Sequence, residues 1–78
     1  MGMTSFEDNV RGIDLREITE RNLEVWRLIQ KDKSPREIAA LLHISVSGVK
    51  KHIERVMNIT GTHTQTAALA VLMARKLL

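Results

Sequence analysis

The sequence predicts an all-α domain of four helices, preceded by a short extra helix or an arm. Three observations predict it. Strand signals are weak, with one Phe, no Tyr and no sustained alternation of apolar and polar side chains. Apolar residues recur instead at helical spacing. Capping residues at Thr19, Ser34 and Ser45, and a glycine at Gly61, divide the chain into segments of helical length.

Residues 1–17 are mixed and polar, with Gly2 and Gly12 among them. Thr4-Ser5-Phe6-Glu7 has capping-box spacing and allows a short helix over 5–11, but an arm or linker fits as well. The domain proper is expected over 18–78. Its first helix runs from Glu20 to about Lys31, with Thr19 as N-cap. Leu23, Val25, Trp26 and Ile29 share a broad face and are expected in the core. Asn22 stands where a capping-box Glu would be, which predicts a weaker cap. Asp32 can close the helix, because Asp tolerates the left-handed conformation better than most residues.

The second helix has the clearest start. Ser34-Pro35-Arg36-Glu37 sets a cap, a proline at the first helical position and a capping-box Glu in order. Ile38, Ala39, Leu41 and Leu42 are its expected buried side, and it ends near Leu42. Only His43 and Ile44 separate it from the next N-cap, Ser45. So short a link forces a sharp crossing, as in a helix-turn-helix unit. The third helix then runs from about Val46 to Ile59, closed by Gly61. The fourth runs from near Thr64 to about Leu77. Its apolar run Ala67–Ala74 wraps right around it. A helix apolar all round is buried on more than one side. The other helices of a 78-residue chain can cover only one, so the far side calls for a partner.

The charge is divided. Residues 1–30 carry four basic and six acidic side chains, and residues 31–78 carry eight basic and three acidic. The basic half favours a polyanion such as nucleic acid or an acidic membrane. With no cysteine there is no disulfide framework and no thiolate metal site, which fits a reducing cytoplasm. The apolar run Ala67–Ala74 is far too short to span a bilayer, and a soluble protein without membrane partners is expected.

At about 100° per residue, Val46, Val49, Ile53, Val56 and Met57 form the core stripe of the third helix. Ser47, Lys51, Glu54, Arg55 and Asn58 fall opposite, and Lys50 and His52 flank the stripe. A solvated face would look much the same. Two features point further. The tight link projects this helix outward while the second braces it. Ser45, Ser47 and Gly48 keep its N-terminus small, so free backbone N–H groups there can meet a phosphate, helped by the helix dipole. A major groove admits one such helix.

An ordered set of residues carries a family resemblance: Thr19-Glu20-Arg21, Leu23-Glu24-Val25, Leu28-Ile29, Ser34, Glu37-Ile38-Ala39, Leu42, Ile44-Ser45, Ser47, Val49-Lys50, His52 and Gly61. Over residues 18–78 the chain resembles the LuxR-type (GerE-like) DNA-binding domain of bacterial transcription regulators. The resemblance implies a compact four-helix helix-turn-helix domain that binds double-stranded DNA through its second and third helices. It implies base contacts at Lys50, Lys51 and Glu54, with Ser45, Ser47 and Arg55 as phosphate contacts by position and chemistry. It also implies that Ala68, Leu69 and Leu72 face the core. Ala67, Ala70, Val71, Ala74 and Leu78 then form a separate sector through which a homodimer would pair. Cover by Phe6, Val10 or Ile13 of the N-terminal segment is the other reading of that sector. RNA polymerase is a further partner that the resemblance brings into view.

The chain departs from the family pattern at several positions, two of which, Ile59-Thr60 and Gln65, remove positive charge that could touch DNA. Gly48 replaces a usual Thr, at a helix cost of about 0.5–1 kcal/mol. Ile59-Thr60 replaces a basic-leucine pair, and Gln65 a usual Arg. Glu54 can accept from a cytosine amino group or repel phosphate. Glu54 and Gln65, which weaken DNA contact, support an alternative: a protein-interaction module that pairs with full-length regulators and antagonises them without binding DNA. A promoter-reading domain like region four of sigma factors shares the helix-turn-helix pattern, but the Gly61 break and the apolar fourth helix argue against it. Catalysis is not expected. The chain has no Gly-rich phosphate loop and no Ser, His and acid set within a motif. His43, His52 and His63 lack the helical spacing of a metal pair, His52 matching a family position that implies packing or a phosphate contact rather than ligation, and no cofactor is implied. Trp26 sits at core spacing, as packing rather than a base-stacking platform.

Overall fold

The computed structural model describes residues 14–78. A 3₁₀ turn, Leu15–Glu17, precedes four helices: α1 (Glu20–Gln30), α2 (Pro35–Leu42), α3 (Val46–Thr60) and α4 (Gln65–Ala74). The expected all-α, four-helix domain is what the chain forms. The short helix considered over 5–11 lies outside the described residues.

Each helix begins on a Ser or Thr whose hydroxyl accepts the N–H three residues on. Thr19 accepts from Asn22, Ser34 from Glu37, Ser45 from Gly48 and Thr64 from Ala67. Each such cap contributes about 1 kcal/mol. Ser34 and Glu37 close the expected capping box, and the Ser34 N–H holds the Glu37 carboxyl below the usual carboxylate range. The first cap is not the weak one expected. Asn22 Oδ1 accepts the Thr19 N–H at 2.8 Å, so the amide completes the box as a Glu would.

The helices also end alike. Asp32, His43, Gly61 and Lys76 take positive φ of 65°, 58°, 67° and 59°. Past each, the next N–H reaches back five residues: Lys33 to Leu28, Ile44 to Ala39, Thr62 to Met57 and Leu77 to Leu72, at 2.9–3.0 Å. These are left-handed Schellman-type ends, which satisfy carbonyls the helix leaves free. The fourth one stops α4 at Ala74, short of the expected Leu77.

Helix α3 runs through the middle and packs against α1, α2 and α4. The buried core is Leu23, Val25, Trp26, Ile38, Ala39, Val49, Ile53, Val56, Ala68 and Leu72. Ile29, Leu42, Val46, Met57 and Leu69 pack against it, partly buried. Leu41 departs from expectation, because it is 54% exposed. An eight-residue helix held between two neighbours has one inward side, filled by Ile38 and Ala39, and Leu41 falls outside it. The indole Nε1 of the fully buried Trp26 has no hydrogen-bond partner among the described residues. Thr60 is buried at the end of α3, its hydroxyl donating to the Val56 carbonyl at 2.8 Å. No described helix is long and apolar enough to cross a membrane.

Candidate nucleic-acid interface

Between the end of α2 and the Ser45 cap of α3 lie His43 and Ile44 alone. The first turns the chain in the left-handed region, and the second packs against the core. Arg21 Nη2 donates to the Leu42 carbonyl at 3.4 Å and ties the end of α2 to α1. Helix α3 is thus held from behind along Val49, Ile53 and Val56, while Ser47, Lys50, Lys51, Glu54, Arg55 and Asn58 are exposed. All the side chains expected to meet DNA, Ser45, Ser47, Lys50, Lys51, Glu54 and Arg55, stand exposed on α3 or its cap. Lys51, Glu54, Arg55, Asn58 and Ile59 line one open depression along it.

The front of α3 has a defined set of donors. Ser45 Oγ takes the Gly48 N–H at 2.9 Å, and the Ser45 carbonyl takes the Val49 N–H at 3.0 Å. Val46 and Ser47 keep N–H groups with no acceptor inside the helix. The Ser45 hydroxyl accepts that one bond and keeps its own proton to donate. A Cβ on Gly48 would stand 3.2 Å from Ser45 Oγ. The glycine therefore leaves the cap hydroxyl unpressed as well as the front small.

Two relationships at this face were not visible in the sequence. Arg55 Nη2 lies 3.9 Å from Glu17 Oε1 of the 3₁₀ turn, with both side chains about half exposed. Such a pair is weak in water. Asn22 of α1 also places Nδ2 2.6 Å from Nδ1 of His52 on α3. These partners are thirty or more residues apart, and no local pattern joins them.

On α4, Ala68 and Leu72 are buried, as the resemblance implied. Ala67, Ala70 and Ala74 are exposed, and Val71 and Leu78 are half-buried. Met73, 50% exposed, borders this sector. No group of three or more acidic, His or Cys side chains among the described residues could hold a metal.

Residues 16–73 match the sequence profile of the GerE family, described as bacterial regulatory proteins of the luxR family. The chain is also 36% identical over 56 residues to the spore germination protein GerE of Bacillus subtilis (strain 168), covering 72% of this chain and 76% of that protein. Domains of this family are DNA-binding modules without catalytic chemistry. The chain therefore belongs to the luxR family of bacterial regulatory proteins, as a helix-turn-helix DNA-binding domain of a transcription regulator.

Proposed function

We propose that α3 lies in the major groove of double-stranded DNA with its N-terminal half toward the base edges. Lys50, Lys51 and Glu54 read bases, while Ser45, Ser47 and Arg55 hold phosphates. The observation that carries this reading is the exposed outer face of α3, which bears Lys50, Lys51 and Arg55 and is braced from behind by α2 across a two-residue link. Lysine fits guanine O6 and N7, and Glu54 fits a cytosine amino group. Two copies pair through Ala67, Ala70, Val71, Ala74 and Leu78 of the α4 face. Small side chains there let two helix backbones approach closely. A symmetric pair presents two α3 helices to half-sites about one DNA turn apart.

Selection of duplexes from a random pool by the whole chain, followed by hydroxyl-radical footprinting, tests this reading. The expected footprint is two half-sites centred about ten base pairs apart. Ala70→Glu, an exposed change, should keep the fold and abolish the joint occupancy of the two half-sites. A folded, dimeric chain that enriches no sequence would refute it and favour the antagonist module.

A further inference from the structure

Asn22 is only 1% exposed and serves two elements at once. Its Oδ1 is committed to the Thr19 N–H at 2.8 Å, which fixes which end of the amide is which. The end turned to His52, 2.6 Å from Nδ1, is therefore Nδ2, which carries protons and offers no lone pair. His52 Nδ1 must accept. A neutral imidazole that accepts at Nδ1 carries its proton on Nε2. Nε2 has no partner among the described residues, and the only sealed, unpartnered side-chain polar atom there is Trp26 Nε1. His52 as a whole is half-buried, and its Nε2 is not among the sealed, unpartnered side-chain atoms of the described residues. At about 100° per residue, His52 stands beside Gly48 on the flank of α3 away from Lys50. A helix seated in a major groove turns its flanks toward the phosphate backbones.

We infer that Asn22 is a positioning residue for DNA binding: it holds His52 in the Nε2–H tautomer and presents that N–H to a phosphate oxygen. The inference rests on the DNA reading of α3. Asn22→Asp separates its parts. The carboxylate still accepts the Thr19 N–H, so the cap survives, but the donor to Nδ1 is gone. The neutral ring then turns its proton to Nδ1 and leaves a lone pair facing the phosphate.

The test combines ¹⁵N-histidine NMR of the whole chain with anisotropy binding to duplex DNA, both at pH 9, well above the ordinary histidine range, so that the ring is neutral in each. Wild type is expected to show a protonated Nε2 and a bare Nδ1 at His52, and Asn22→Asp the reverse. The substitution should weaken binding about tenfold more with His52 present than in a His52→Ala background, which subtracts the bare charge. His52→Gln, whose amide puts a donor near the Nε2 position, should bind better than His52→Ala. A proton on Nδ1 in wild type overturns the inference alone. So does an equal loss in both backgrounds or a Gln variant no better than Ala. Failure of wild type to bind duplex overturns the DNA reading and this inference together.

Discussion

The N–H of Ile44 donates to the carbonyl of Ala39 at 3.0 Å, and this bond closes α2 over His43 held at φ 58°. The link that sets α3 at its angle therefore rests on a non-glycine residue in the left-handed region. His43→Gly should stabilise the domain by about 1 kcal/mol, because glycine adopts that conformation without steric cost. Urea denaturation should show a raised midpoint with an unchanged slope. Gly61→Ala, at φ 67°, should lower stability by about as much.

Glu37 links the same helix to pH. Its carboxyl accepts the Ser34 N–H at 2.9 Å, and that bond lowers its pKa in the folded state. A lowered folded pKa gives stability that is fully present above the unfolded value and lost as pH falls through the folded one. Glu37→Gln can still cap Ser34 but has no charge to lose. Wild type should therefore exceed the variant in thermal stability at pH 7, and the gap should close below about pH 4. A gap that widens in acid would contradict the assignment.

The core predicts a steep response to truncation. Ile38 is fully buried between helices, and Ile38→Ala should cost about 2–5 kcal/mol. A domain of 78 residues has little stability beyond that, so much of the variant should be unfolded at 25 °C. Trp26 is the only tryptophan and is fully buried, so its emission should be blue-shifted in wild type and move to the red in the variant.

Glu54 is the one acidic side chain on the outer face of α3. Glu54→Gln should tighten binding to random duplex about threefold by removing repulsion from phosphate. It should also relax the preference for one C·G pair in each half-site by about 1–3 kcal/mol. Competition binding with single-base variants of a selected site reads both effects.

What the sequence disclosed follows from the range of each interaction. The caps at Thr19, Ser34 and Ser45 act over three residues, and each is where the pattern puts it; Thr64, read only as the start of the fourth helix, is its cap. The left-handed turn at Asp32 was legible because aspartate suits it; the one at His43, a residue type also enriched there, was not read, and the one at Lys76 carries no local signal. Leu41 misled because four apolar residues in so short a helix exceed what its one inward side can cover. The outer face of α3 was legible from 100° periodicity. Its supports, Glu17 beside Arg55 and Asn22 against His52, join residues that only the folded chain brings together.

The most direct measurement is fluorescence-anisotropy binding to duplex DNA across a salt series, for wild type and for Lys50→Ala/Lys51→Ala. The account predicts that wild-type affinity falls steeply with salt. The variant should bind more weakly, with a log–log slope shallower by up to about 2. A folded variant with the same affinity and slope as wild type would show that α3 does not face the DNA.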